Sequence, residues 1–222
     1  MTKKALRPAQ LLVEHLDLFL QKILPGPVLD LACGNGDNGI FLAQKGCQVI
    51  CCDISPESLG QAEKLAETHA ARVVIWQVDL EIDGPNPLPR DAYGAILVFR
   101  YLHRPLLGCI KKALKNGGLL VYETFTVDQP KFGKPGNPDF LLNPGELLQT
   151  FGDWEVIHYF EGIRENPTRA VAEIVCRKPE GIEQRVRSQR TEETPLIWDF
   201  QIGNSQSSLC CRLPADWLPW AL

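Results

Sequence analysis

The sequence predicts an α/β fold: a doubly wound, mainly parallel seven-stranded sheet with an antiparallel last strand and helices on both faces. Three observations predict it. Helix and strand patterns alternate from residue 9 to residue 178, apolar strands lead into glycine or aspartate, and the last two strands are joined by a short turn. The 222 residues, 45% apolar and 23% charged, are typical of one globular domain.

The first elements follow from spacing and from helix-ending residues. Apolar residues three and four apart predict a helix over residues 9–24, which a Pro-Gly-Pro triplet ends. Residues 28–32 form an apolar run typical of a buried strand. A helix is expected over residues 37–45 because Gly46 can provide a left-handed cap. Residues 48–53 are expected to form the second strand.

The middle of the chain continues this alternation. Ser55 followed by Pro56 is typical of a helix N-cap and a first helical position, so a helix is expected to follow. Residues 72–78 and 94–99 have strand patterns, and a proline-rich loop separates them. The next helix is expected over residues 101–115.

The end of the core begins with a strand at residues 119–125, followed by a loop at 126–142. A loop of that length inside a compact domain is usually functional. Beyond a short helix, residues 155–161 and 169–177 have strand patterns. The gap between them is too short for the crossover that parallel strands need, so we expect an antiparallel hairpin.

Composition and charge restrict the partners. The net charge of −4 disfavours a general attraction to nucleic acid or to a membrane. The polar residues Glu14, His15 and Asp17 interrupt the N-terminal apolar stretch, so no signal peptide is expected. The eight cysteines form no CxxC pair and no zinc spacing, which predicts reduced thiols, no metal site and a cytoplasmic protein.

The most informative segment is the strand that runs into Cys33-Gly34-Asn35-Gly36 and then opens a helix. Glycines let a ligand approach the backbone, and a helix start presents free N–H groups. Asp30 lies in this strand, while Asp53 and Asp79 end the next two strands. Because the carboxyl ends of parallel strands meet at one edge, we expect these aspartates around one nucleoside-shaped ligand.

The pattern Asp30-x-x-x-Gly34-x-Gly36, with Asp53 and Asp79 after it, resembles the class I S-adenosylmethionine-dependent methyltransferases. More loosely, the chain resembles their tellurite-resistance-type branch, which acts on small molecules. The resemblance covers residues 28–177 and implies S-adenosyl-L-methionine as cofactor. By position it implies cofactor-binding residues, namely Asp30, Cys33, Gly34, Gly36, Asp53, Ile54, Asp79, Leu80 and Phe99.

The resemblance also implies separate roles along the cofactor. Gly34 and Gly36 would flank its methionine and ribose parts, and Asp53 would bind the ribose hydroxyls. Ile54 would pack on the adenine, which Asp79 and Leu80 would border. Phe99 would end the fourth strand beside the methyl group.

The resemblance further implies three parts of the chain. Residues 1–27 would form an N-terminal helix that covers the cofactor site, and residues 28–178 the methyltransferase core. Residues 179–222 would be a C-terminal extension that holds three of the five tryptophans. This extension is either partly disordered or an arm docked on its own core or on a second subunit. Self-association or a partner would use this Trp-rich segment.

The candidate catalytic residues follow the fourth strand. His103 is interpreted either as a base or hydrogen-bond donor beside the acceptor, or as a residue that packs on its helix. Arg100 and Arg104 would either hold an anionic acceptor or remain solvated charges. Lys131 and Lys134 in the long loop would close over such an anion or simply be solvated. The end of the fifth strand, Glu123-Thr124-Phe125, would line this pocket.

The alternative class is a NAD(P)-dependent oxidoreductase, because residues 34–39 also fit G-x-G-x-x-G. Asp30 would repel a pyrophosphate, however, and no Tyr-x-x-x-Lys pair follows the fourth strand. A cationic sulfonium suits aspartates better. A third hypothesis is a catalytically degenerate methyltransferase-like interaction module. We therefore predict an enzyme that methylates a small nucleophile, with anions as one acceptor class.

Overall fold

The computed structural model describes residues 5–21, 24–82 and 87–181, and the predicted C-terminal extension lies beyond these except for its first three residues. The described chain forms one seven-stranded sheet in the order β3-β2-β1-β4-β5-β7-β6. The strands are β1 (Val28–Leu31), β2 (Val49–Asp53), β3 (Val73–Gln77), β4 (Tyr93–Phe99), β5 (Leu114–Phe125), β6 (Glu155–Arg164) and β7 (Arg169–Arg177). The α-helices of the described residues are α1 (Gln10–Glu14), α2 (Asp17–Leu20), α3 (Asp37–Gln44), α4 (Pro56–Thr68), α5 (Arg104–Ala113) and α6 (Glu146–Phe151).

The direction of the strands confirms the predicted fold class. β1 to β5 pair in parallel, and β7 runs antiparallel to both β5 and β6. β6 and β7 form the hairpin that the short gap predicts. The carboxyl ends of β1 to β5 and the start of β7 therefore share one edge of the sheet.

The core lies on both faces of the sheet, which explains the apolar runs of the central strands. Every residue of β1 and β4 is buried, as expected for parallel strands covered on both sides. One apolar cluster contains Tyr122 and Phe151, and the other contains Leu12 and Phe19. Helices of both halves of the chain thus cover the sheet.

The single helix predicted over residues 9–24 is wrong, because the chain forms two short helices, α1 and α2. Between them the backbone tightens: the N–H of Leu18 donates to the carbonyl of His15, and that of Phe19 to Leu16, three residues back. This turn keeps both Leu12 and Phe19 buried against the sheet. The spacing of the apolar residues did not show it.

The segment before α1 lies against the start of α3. The backbone N–H of Arg7 donates to Oδ1 of Asp37 at 3.0 Å, and that of Ala9 donates to Oδ1 of Asn38 at 2.8 Å. The N-terminal segment is therefore held beside the turn that follows β1. No helix in the described ranges is long and apolar enough to cross a membrane.

Candidate active site

Asp30 connects strand β1 to helix α3. The residue is 2% exposed, and its Oδ2 accepts a hydrogen bond from the N–H of Gly39 at 2.8 Å. A Cβ at position 39 would lie 2.9 Å from that oxygen, so only glycine fits there. Burial raises the pKa of Asp30 from 3.8 to about 7, although the Gly39 N–H opposes the rise. Asp30 is therefore a buried acid that titrates near neutral pH.

The two glycines of the turn have different surroundings. Both have positive φ, +55° at Gly34 and +79° at Gly36, which favours glycine. A Cβ at position 36 would lie 3.0 Å from the Cβ of Ala62 in α4, whereas a Cβ at position 34 would meet nothing within 4 Å. Gly36 thus allows close packing, while Gly34 leaves bare main chain facing open space.

Asp53, at the tip of β2, braces this turn. Its Oδ2 accepts a hydrogen bond from the N–H of Gly34 at 2.9 Å, and its Oδ1 accepts one from the N–H of Ser55 at 2.9 Å. A carboxylate oxygen has more than one lone pair, so each oxygen can accept another hydrogen bond. The neighbouring Ile54 is 59% exposed. The tip of β2 therefore presents an acid and an apolar side chain together.

Other predicted cofactor residues lie around this edge in different environments. Asp79 is exposed, and its Oδ1 accepts a hydrogen bond from the N–H of Glu81 at 2.9 Å. Leu80 and Phe99 are buried, in the clusters on opposite faces of the sheet. Contact with the Cys51 thiol and burial raise the pKa of Cys33, which keeps its thiol protonated. Cys33 packs against the apolar cluster that contains Leu12 and Phe99.

Two adjoining cavities open beyond β4 and β5. Their volumes are about 550 and 600 Å³, and they share Arg100, Phe125 and Lys134. Arg100 follows β4 with a positive φ of +56°, and its N–H donates to the carbonyl of Glu123 at 2.8 Å. The larger cavity is also lined by charged residues, namely Arg7, Asp37, Glu123 and Arg169. Four of its charged residues are thus cations and two are acids.

The loop between β5 and α6 is held over these cavities by Gln129. The Gln129 side chain is buried, where its Nε2 donates to the carbonyl of Lys134 at 3.1 Å. Its Oε1 accepts from the N–H of Ala170 in β7 at 2.9 Å. This bridge explains why Lys134 lines both cavities, while Lys131 instead pairs with Asp128.

Arg104 has a role that neither sequence interpretation anticipated. Its guanidinium donates to both carboxylate oxygens of Glu146, at 2.8 and 2.9 Å, and to the carbonyls of Asp139 and Leu141. It is therefore neither a solvated charge nor available to an acceptor. It holds the long loop onto α6.

His103 precedes α5 as its N-cap residue, without a side-chain capping bond. It is absent from the lining of both cavities. Its role as a base or donor stays a prediction.

Sequence reasoning did not include Arg169 and Gln129 among the site residues. A signal for Arg169 was available, since an antiparallel strand begins at the edge where its parallel neighbours end. Gln129 has no such signal, because its contacts depend on the path of the loop. The described residues contain no cluster of His, Cys, Asp or Glu that could hold a metal ion.

The arrangement defines a class of protein. A parallel sheet carries, at one edge, a glycine turn with bare main chain and acids on neighbouring strand tips, as in nucleoside-binding doubly wound proteins. Residues 28–118 match the family model described as a methyltransferase domain. These residues therefore carry a methyltransferase domain, and the fold and the motif agree with the class I S-adenosylmethionine-dependent methyltransferases.

Two relatives agree with this assignment. The chain is 50% identical over 142 residues to an "uncharacterized methyltransferase" of Synechocystis, covering 61% of this chain and 63% of that protein. It is 29% identical over 150 residues to the probable S-adenosyl-L-methionine-dependent methyltransferase TehB of Haemophilus influenzae, covering 64% of this chain and 51% of TehB. The chain thus spans only about half the length of TehB.

The crystal structure of Haemophilus influenzae TehB has the same fold. It superposes with a TM-score of 0.57 at 23% identity, covering 75% of this chain and 62% of TehB.

S-adenosylmethionine is the cofactor that the family and fold imply, and the residues at the edge suit it. Gly34 leaves main chain accessible, Asp53 retains lone pairs for hydroxyl groups, and Ile54 exposes apolar surface. The carboxylate of Asp53 at this edge suits a ligand that carries positive charge.

Proposed function

We propose that this protein transfers the methyl group of S-adenosylmethionine to a small nucleophile, and that the acceptor is anionic. The observation that carries the proposal is the position of Arg100. It follows β4, which pairs with β1, and it lines both cavities beside the edge that carries Gly34 and Asp53. Neighbouring strands lie about 4.8 Å apart, so a donor and an acceptor bound there would be adjacent.

The donor side would use the tips of β1, β2 and β3. Asp53 would accept hydrogen bonds from the ribose hydroxyls while it still braces the N–H of Gly34. Ile54 would cover one face of the adenine, and Asp79 would accept from its amino group. The segment before α1, bonded to Asp37 and Asn38, would cover the methionine end.

The acceptor side is supported by the charge of the larger cavity. Arg7, Arg100, Lys134 and Arg169 line it together with two acids, Asp37 and Glu123, although the whole chain has a net charge of −4. A local excess of cations in an acidic protein favours a negatively charged ligand. Arginine binds carboxylates and other oxyanions through paired N–H groups.

The chemistry requires little beyond alignment. S-adenosylmethionine supplies an electrophilic methyl group on a cationic sulfur. Holding two reactants aligned at about 3 Å can provide roughly 7–11 kcal/mol of the barrier lowering. The cationic side chains would hold the acceptor by its charge, and the loop bridged by Gln129 would exclude water. The nucleophile of the acceptor would then point towards the strand edge that carries Gly34 and Asp53.

The experiment that tests this function measures release of S-adenosylhomocysteine with a panel of oxyanions, thiols and phenols. We expect turnover with at least one anionic acceptor, and none in the Gly34→Val variant. Donor binding without turnover on any acceptor would contradict an enzymatic role and favour the degenerate interaction module.

A further inference from the structure

Glu123, near the end of β5, is an incompletely partnered acid beside the larger cavity. The residue is 5% exposed and still lines that cavity. Oε1 lies 3.6 Å from Nη2 of Arg169, a separation too long for a hydrogen bond. Among the residues that the structure describes, no side chain or backbone group makes a hydrogen bond of 3.5 Å or less to this carboxylate. Because Glu123 lines the cavity, its carboxylate oxygens can accept a hydrogen bond from a ligand bound there.

The neighbouring acid Glu173, in contrast to Glu123, has close partners for its carboxylate. Glu173 pairs directly with Glu123 across β5 and β7. Its carboxylate is 2.6 Å from Nη2 of Arg164 and 3.2 Å from Nε2 of His158. Two groups on β6 thus contact the carboxylate of Glu173 directly, whereas the ion pair of Glu123 with Arg169 is longer, at 3.6 Å.

Charged groups on the neighbouring strands affect the pKa of Glu123. Burial raises the pKa of Glu123, and the carboxylate of Glu173 raises it further. Arg169 on β7 and Arg100 after β4 lower it. A hydrogen-bond donor placed in the cavity would stabilise the ionised carboxylate in the same way.

We propose that Glu123 accepts a hydrogen bond from the nucleophile of the methyl acceptor, while Arg100 and Lys134 bind the acceptor's anionic group. The inference rests on the proposed function and narrows its substrate class. The acceptor is a small acid that also carries a hydrogen-bond donor, such as a hydroxyl, thiol or amine. Arg169 positions the Glu123 carboxylate, and the loop residue Gln129 positions Lys134.

The test uses calorimetry on the full chain saturated with S-adenosylhomocysteine, so that no turnover occurs. The probes are benzoate, 3-hydroxybenzoate and 4-hydroxybenzoate. Because a hydrogen bond to a charged group contributes about 1.5–3 kcal/mol, we expect one hydroxybenzoate to bind about tenfold or more tightly than benzoate. Glu123→Gln should reduce this preference to below about threefold. Glu123→Asp, whose side chain is shorter by one methylene group, should also reduce the preference for hydroxybenzoate over benzoate.

The cationic anchor is tested on the same probes. Arg100→Gln and Lys134→Gln should weaken benzoate and hydroxybenzoate binding by equal factors. The matched controls Lys131→Gln, on the same loop, and Glu155→Gln, an exposed acid of β6, should change neither. An equal hydroxyl preference in the wild type and in Glu123→Gln overturns the proposal, and so does the absence of binding of all three acids. If S-adenosylhomocysteine itself does not bind, the result contradicts the proposed function rather than the role of Glu123.

Discussion

The carboxylate of Asp53 on β2 and the N–H of Gly34 after β1 are joined by a hydrogen bond of 2.9 Å. This bond links the tips of two parallel neighbours, β1 and β2. It fixes the acid beside the stretch of main chain that faces open space. The donor site we propose therefore depends on one contact that is also part of the fold.

Replacing Asp53 by alanine should weaken binding of S-adenosylmethionine by about 1.5–3 kcal/mol, the contribution of hydrogen bonds to a charged group. Calorimetric titration measures this loss. The control is Asp91→Ala, since Asp91 is an exposed acid just before β4, at the opposite edge of the sheet. Unchanged affinity in Asp53→Ala would refute the ribose assignment.

Replacing Gly34 by valine should abolish donor binding, because a branched side chain would fill the space beside the turn. Circular dichroism should show that the fold is retained. The matched control is Gly46→Val: this glycine also has positive φ, +93°, and open space around it, but it lies after the far end of α3. If both variants bind the donor equally well, the bare main chain at Gly34 has no role in binding.

The pKa of Asp30 predicts a pH dependence of stability. The pKa of Asp30 is about 7 in the folded protein, against an ordinary value of 3.8. Between pH 3.8 and pH 7, Asp30 therefore keeps its proton in the folded protein but loses it in the unfolded chain. Wild-type stability should therefore fall, relative to Asp30→Asn, as the pH rises through this interval. Thermal melts of both proteins between pH 5 and pH 8 measure this, with an expected relative shift of about 2 °C or more. If the difference in melting temperature between the two proteins stays the same from pH 5 to pH 8, Asp30 is already ionised in the folded state.

The role of His103 can be decided with His103→Gln. If His103 transfers a proton, this variant should lower the rate of methyl transfer and remove one limb of its pH profile, while the donor affinity stays unchanged. A rate and pH profile equal to those of the wild type would exclude His103 from catalysis.

The sequence was sufficient to predict the sheet, because its signals are local. Alternating apolar strands and helices, together with the short gap before β7, determined the fold class and the hairpin. The glycine turn and the acids that follow β2 and β3 could be placed at one edge for the same reason, since parallel strands end together.

The acceptor side could be predicted only in part, because its contacts are made between distant segments. The sequence left Arg104 either as an anion binder or as a solvated charge, but its guanidinium is held by Glu146, 42 residues later. The pairing of Glu123 with Glu173 depends on the register of β5 and β7, which residue spacing does not reveal. The break between α1 and α2 depends on how Leu12 and Phe19 pack on the sheet.

The most direct test of the central claim is calorimetric titration of the full chain with S-adenosylmethionine, S-adenosylhomocysteine and NADH side by side. We expect both sulfur nucleosides to bind and NADH not to bind. Binding of NADH without binding of S-adenosylmethionine would contradict the donor site built on Gly34 and Asp53.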